Sequence, residues 1–537
     1  MSEIRWSKLH SLIHDAPSDS GEYITIIDSL NDLIKETTIE DRRNEIASSK
    51  DIFFQLRESA ILGKSVDLKQ ACSSQYMRIV KGIVIIARNL SVANQVIPQN
   101  ILLPNTFLAW YLSISRQTVC TPGDLKQLYG LVCQFYFNCT RTNVVFDESC
   151  FDDHMNFMVE MLRFIDDDGI VNAYSLWLSN IMKSDAFISS LLNDIRSLEV
   201  IDKLLLRGII AQKTEIDLLV EEEDEDKNLS SLATIQLKIL KQLVTHECFG
   251  SYMKTLRKEY GFASFNKMFK IVTMLVTSSE RWDLYQLTAI LSWTFDIFEE
   301  YTYLVDAFFK SESTPEATDA GPLFAILSSV LDILTTLAKY QHAQKYMISY
   351  DGVHKIIKLF DILERNCLKI HFNKSSGAKN VDSSAHPVRA TDHVGNVITD
   401  AVILKKRIHN NRINDSNFPG IKCFLVELLG FMSYEQKDVQ DSVRELHGLE
   451  LVLSNCIIDD NNPFIKERCI ICIRYLLANN STNQEFISQL EAKKAVDGDV
   501  LKKAGYKVDI DGKGNIKLTA DKRNAASEEQ LFEDVQK

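Results

Sequence analysis

Two cysteines three residues apart, Cys469 and Cys472 in NNPFIKERCIICIRYLLANN (461–480), have the C-x-x-C spacing of metal carriers and redox enzymes. Both uses require thiolate, and structural zinc requires two further ligands that no second C-x-x-C or H-x3-H provides. Ile465, Cys469, Cys472, Ile473 and Leu476 fall instead on one apolar helical stripe, with Lys466, Glu467 and Arg474 off it. Asn462 is expected to cap that helix and Pro463 to fill its first position. Both sulfurs are then expected in a core between Ile470, Ile471 and Ile473, where desolvation disfavours thiolate. A second sulfur set is Met155, Met158 and Met161 beside His154. Thioethers suit Cu(I), yet the same spacing with Phe157 and Leu162 suits a core stripe. Packing is the reading adopted for all five sulfurs.

Other chemistry is weaker. DIDGKGNIKLTA places Asp509 and Asp511 where a calcium loop has its first ligands, but Lys513 and Ala520 stand at later ligand positions. His371, His386, His393 and His409 gather in or near one polar stretch without a pattern that orders ligands. Phosphate-cradling glycine loops, G-x-S-x-G and H-E-x-x-H are absent. No catalytic residue and no cofactor is expected.

The elements that position these residues follow from bulk properties. A chain of 537 residues exceeds what one compact core accommodates, so it divides into domains or a repeat array. Its net charge of −13, with an acidic run at 221–226, argues against nucleic acid as the main partner. The N-terminus has no secretory signal pattern. The most apolar stretch, Leu323 to Leu337, contains Asp332 and reads as a buried helix, not a membrane span. Eleven cysteines without a signal peptide suggest reduced thiols in the cytosol.

Only 20 glycines and 9 prolines, with apolar spacing of three and four almost throughout, predict an all-α protein. Residues 329–363 and 426–456 share a plan: an apolar helix, a polar turn, a short helix, a glycine (Gly352, Gly448) and another apolar helix. Ala338 aligns with Ser433, Asn483-Gln484 matches Val439-Gln440, and Asn94-Gln95 falls in the same place. The glycines are expected to supply positive φ at a bend. This plan resembles an armadillo repeat, which implies a right-handed α-solenoid of short helices. The expected organisation is a helical-repeat region at 1–310 with an acidic loop at 221–227, a linker at 311–321, and an armadillo-like domain at 322–490. That domain holds a disordered insertion at about 371–418 whose removal leaves the fold intact. A β-hairpin and charged tail fill 491–537.

Residues 417–487 resemble the C-terminal domain of the ataxin-10 family. The elements that carry the resemblance are Gly420-x-Lys422, Leu428-Leu429-Gly430, Gln440-Asp441 and His447-Gly448-Leu449. Asp459-Asp460-Asn461-Asn462-Pro463-Phe464-Ile465, Ile473-Arg474 and Asn483-Gln484 complete the series. The chain departs from the family at Arg468, where a Trp is usual, at Tyr475, where Asn is usual, and at Cys472, where Ala is common. The resemblance implies an armadillo-like, cytoplasmic, non-enzymatic scaffold linked to cytokinesis. Its partners are proteins held in a solenoid groove, with no membrane insertion. Fungal relatives carry a copper-transport name, so the alternative is a copper-homeostasis accessory protein using Cys469, Cys472, Met155, Met158 or Met161.

Overall fold

The computed structural model describes residues 6–15, 22–66, 74–117, 120–144, 146–203, 231–279, 281–310, 319–372, 388–410, 412–492, 506–510 and 516–520. The acidic run at 221–226, residues 311–318 of the linker, residues 373–387 of the insertion and the tail after 520 lie outside them. The chain divides into two compact units, Met1–Lys258 and Glu259–Lys537.

The first unit opens with α1 (Trp6–Asp15), α2 (Glu22–Thr38), α3 (Glu40–Ala47), α4 (Lys50–Lys64) and α5 (Ser74–Ala93). It continues with α6 (Val96–Asn100), α7 (Leu103–Ser115), α8 (Pro122–Cys139), α9 (Phe151–Glu160) and α10 (Asp168–Ile181), then α11 (Asp185–Asn193), α12 (Arg196–Ile201) and α13 (Ser231–Val244). Long helices α2, α5, α8, α10 and α13 pack in succession, and α1, α4, α7 and α9 form a second row. Short α3 and α6 lead into the pairs α4–α5 and α7–α8, which is the three-helix plan of stacked repeats. The reason lies in patterns such as that of α5, where Tyr76, Met77, Ile79, Val80, Ile83 and Val84 are all buried. Each such side chain gains about 1.5–3 kcal/mol from leaving water. An aromatic cluster fills the middle: the Tyr129 and Phe157 rings stack at 4.2 Å, and Trp110 and Trp177 are fully buried.

Helix α14 (Phe249–Ser278), kinked at Gly261 (φ 77°), contains the point of division. The second unit holds α15 (Leu284–Lys310), α16 (Ala320–Leu337), α17 (Gln341–Ser349), α18 (Gly352–Asn366), α20 (Ile421–Ser433), α21 (Lys437–Glu445), α22 (Gly448–Ser454), α23 (Ile465–Leu477) and α24 (Ser481–Ala492), with α19 introduced below. Here α15, α16, α20 and α23 pack in succession. Among the described residues α16 is the one helix long and apolar enough to cross a membrane. Leu323, Ile326, Leu327, Val330 and Leu331 on it are all buried. Near the C-terminus β5 (Tyr506–Ile510) and β6 (Ile516–Ala520) pair antiparallel as the expected hairpin, Val508 opposite Leu518.

The repeat alignment has a hydrogen-bond basis. Gln344 Nε2 donates to the Ala338 carbonyl (2.8 Å), Gln440 Nε2 to Ser433 (3.1 Å) and Gln484 Nε2 to Leu477 (2.8 Å). In each case a short helix reaches back to cap the carbonyl end of the preceding long one. The fourth copy is shifted by three residues: Asn94 accepts from Ile97 N–H as Asn480 accepts from Asn483 N–H. Asn94 is therefore the counterpart of Asn480. The role expected of the glycines is also corrected. Positive φ falls on the residues before them, Asp351 (61°) and His447 (60°). The glycines provide space: a Cβ on Gly352 would lie 2.6 Å from the Met347 carbonyl oxygen, and one on Gly448 2.8 Å from Ile357 Cδ1.

The insertion expected to be disordered over 371–418 is ordered wherever it is described. Strand β1 (Lys369–Phe372) pairs antiparallel with β2 (Val388–Thr391), and α19 (Ala401–Arg407) leads to β3 (Ile408–His409), β4 (Arg412–Ile413) and a 3-10 turn at Asp415–Asn417. Leu368, Ile370 and Ala390 form a small core with Phe372, Leu404, Ile408 and Ile413 packed against it. Alternate apolar residues produce this core, in runs too short to stand out among the polar ones.

Candidate functional site

The sulfurs singled out in sequence are all buried. Cys469 and Cys472 lie on the stripe with Ile465, Ile473 and Leu476, whereas Ile471 is 47% exposed and so does not flank them in the core. Burial pushes both thiols above their ordinary range, and Cys469 also lies against Cys456. The neighbouring thiols donate to backbone, Cys423 Sγ to the Pro463 carbonyl (3.3 Å) and Cys456 Sγ to Val452 (3.5 Å). Met155, Met158 and Met161 are 0% exposed in the aromatic core. His154 beside them spends Nδ1 on the Cys150 carbonyl (2.8 Å), and its Nε2 lies 2.7 Å from the Tyr136 hydroxyl. Among the described residues no three His, Cys, Asp or Glu side chains gather closely enough to hold a metal. His371 lies 3.5 Å from Asp460, and His393 and His409 are exposed without converging; His386 is outside the described residues.

The motif Asp459-Asp460-Asn461-Asn462 does not start the helix. Helix α23 begins at Ile465 after Phe464 at φ 65°, and Asn462 is buried, accepting from Lys422 N–H (3.2 Å) and donating to Asp459 (2.8 Å). Asp459 also accepts from Ile370 N–H (2.9 Å), and Asp460 from Phe372 N–H (2.7 Å). Asn417 closes the other end, with its side chain paired to both N–H and C=O of Leu368 (2.9 and 3.0 Å). The motif is thus a buried polar clasp that holds both ends of the insertion against α20 and α23. Gln440-Asp441 and Asn483 serve the same structural end: Asn483 Nδ2 donates to the Gln440 carbonyl (3.1 Å), and Arg444 pairs with Asp441 (2.6 Å). The departures Arg468 and Tyr475 are tied up locally, Arg468 by Glu427 and Tyr475 by the Tyr434 ring at 5.1 Å.

The feature sequence reasoning missed lies on the long helices of the first unit. A cavity of about 510 Å3 opens across α2, α5, α8 and α10. Its floor is apolar, from Leu30 and Ile34 on α2, Ile85 on α5, Leu131 on α8 and Ile170 on α10. Gly130 lets the last two helices close up, since a Cβ there would meet Ile170 Cδ1 at 2.8 Å. Polar side chains stand over the floor: Asn31, Arg78, Lys81, Arg88, Gln127 and Gln134. Thr121 caps α8 by accepting from Asp124 N–H (3.1 Å), which places the Asp124 carboxylate beside Lys81 Nζ at 2.9 Å. Hydrogen bonds from Thr121 and Lys81 hold that carboxyl below its usual range. Lys81 also donates to Gln127 Oε1 (2.9 Å). Arg88 donates to Gln134 Oε1 (2.9 Å) and twice to Asn89 Oδ1 (3.1 and 3.3 Å), and its partial burial lowers its pKa. One repeat further on, Lys126 pairs with Asp167 at 2.7 Å, echoing the Lys81–Asp124 clasp. The signal in sequence was the spacing of Arg78, Lys81, Ile85 and Arg88, three, four and three apart, which puts three cations and one apolar residue on a single face of α5.

A family model described as the spinocerebellar ataxia type 10 protein domain matches residues 421–519. An ataxin-10 homolog of Candida glabrata is 31% identical over 521 residues, covering 95% of this chain and 97% of that protein. Its counterpart in Saccharomyces cerevisiae is 30% identical, covering 96% and 95%. Human ataxin-10 is 43% identical over 93 residues, 17% of this chain and 20% of that protein.

Proposed function

The chain belongs to the ataxin-10 family, and on that premise we propose that it is a non-enzymatic cytoplasmic scaffold that takes up an extended segment of a partner protein in the groove across α2, α5, α8 and α10. The observation that carries this reading is the groove itself. Polar side chains from three consecutive repeat helices, α2, α5 and α8, stand over an apolar floor that α10 extends through Ile170, the arrangement that seats a peptide by its backbone and alternate side chains. A role in cytokinesis, implied by the family resemblance, belongs to the same proposal, as does assignment of residues 322–490 to one C-terminal module. The copper alternative is left without exposed sulfur, since all five candidates are buried.

Photo-crosslinking tests the reading. A photoreactive residue at Gln127, exposed at the groove, is expected to trap a specific partner, and one at exposed Glu58 on α4 is expected to trap none. Equal trapping at both positions, or trapping at Glu58 alone, would count against the groove.

A further inference from the structure

The groove presents hydrogen-bond donors almost exclusively, and this selects its occupant. Lysine ammonium and arginine guanidinium only donate, so a glutamine beside them must turn its oxygen toward them and its NH2 away. Lys81 engages Gln127 Oε1 and Arg88 engages Gln134 Oε1, both at 2.9 Å. Both amide NH2 groups are therefore turned from the cations, and among the described residues neither meets a protein acceptor.

Charge points the same way. Within a chain of net charge −13, α5 places Arg78, Lys81 and Arg88 on one face. Lys81 has Asp124 for a partner, and on the next repeat Lys126 has Asp167. Arg78 makes no ion pair among the described residues, and the partners of Arg88 there are neutral amides. Of the carboxylates on α2, Asp32 pairs with Lys35 at 3.2 Å and Glu36 with Arg42 at 3.7 Å. Three of the five Arg88 donors are fixed by Gln134 and Asn89, so the guanidinium is held in place with donors to spare. A half-buried cation without a counter-charge is unfavourable until an anion arrives.

We infer that the groove recognises an extended partner segment rich in Asp and Glu, its carboxylates meeting Arg78 and Arg88 and its alternate apolar side chains meeting the floor at the half-buried Ile34, Ile85 and Leu131. The inference rests on the peptide-groove reading and gives it a chemistry. Helix axes about 10 Å apart make the crossing from α2 to α10 roughly 30 Å, about nine extended residues.

The test is selection of a random ten-residue displayed peptide library on the full-length chain, in parallel with R78Q and R78Q/R88Q variants. The expected result is enrichment of peptides alternating Asp or Glu with apolar residues, bound about tenfold more weakly by R78Q and more weakly still by the double variant. Replacing Asp and Glu of a selected peptide by Asn and Gln is expected to cost at least about tenfold. Because Arg78 is exposed, R78Q remains informative if loss of Arg88 perturbs folding. Enrichment of basic or uncharged peptides, or equal affinity for the amide version, overturns the acidic assignment and leaves the groove standing. A phosphoserine peptide binding more than tenfold tighter than its glutamate counterpart overturns the choice of carboxylate. If no peptide is enriched, or selected peptides crosslink outside the groove, the groove reading falls as well.

Discussion

Glu364 sits at the centre of the second unit's buried charge. Its carboxylate accepts from Lys422 at 2.6 Å, Lys369 at 2.7 Å and Asn455 at 2.9 Å, and all four side chains are buried. Burial alone would raise its pKa, but Lys422 and Lys369 outweigh it and hold the carboxyl down at about 2. A folded value below the ordinary carboxylate value of about 4.3 contributes stability that is present above that pH and is lost as pH falls toward 2. The shift corresponds to a few kcal/mol, on the order of 3. Glu364→Gln leaves two buried ammonium groups without a carboxylate and is expected to cost about 3–5 kcal/mol in urea unfolding at pH 7. Its deficit should shrink as both proteins are titrated from pH 5 to pH 2; an unchanged midpoint at pH 7 would show that the triad is energetically neutral. The triad was not legible in sequence: Lys422 carries part of the family resemblance, but nothing in the sequence pairs it with Glu364, far from it along the chain. The apolar stripe through Cys469 and Cys472 was legible, because helical spacing alone fixes which side chains share a face.

At the scale of elements, sequence periodicity reveals helices but not what joins them. The repeat register emerged from Gln344, Gln440 and Gln484, whose back-capping bonds recur with the sequence alignment. The insertion did not emerge, because two-residue strands and a seven-residue helix give no period to detect. Its clasp leads to the prediction that removing residues 371–418 harms the fold, opposite to the expectation from sequence. Asn417 is fully buried and bonds both backbone groups of Leu368, and its carbonyl accepts from Asn461 Nδ2 at 3.1 Å. Asn417→Ala is expected to destabilise the protein by about 2–3 kcal/mol, since it leaves a buried donor and acceptor unpaired. Deleting 371–418 outright should cost more, as it also removes Ala390 and Phe418 from cores they help to fill. Thermal unfolding followed by circular dichroism checks both, and a deletion that melts with the parent would refute the clasp.

At the scale of the whole molecule, the proposed function uses the side of the first unit's long helices that packing leaves free. Composition and helical period led to stacked repeats, and the family resemblance located the C-terminal domain. Neither pointed to the groove, because Arg78, Lys81 and Arg88 become a site only when α2, α8 and α10 are brought alongside α5. The motif of greatest similarity serves the scaffold, as the clasp; the groove lies elsewhere, in the first unit. The most direct measurement of the central claim is the dissociation constant of the crosslinked partner segment for the full-length protein and for Gln127→Trp/Gln134→Trp. Both positions are exposed, so indole rings there fill the groove without entering the core. At least about tenfold weaker binding, about 1.4 kcal/mol or more, is expected in a variant that circular dichroism shows to be folded. Unaltered affinity in that folded variant would contradict the claim.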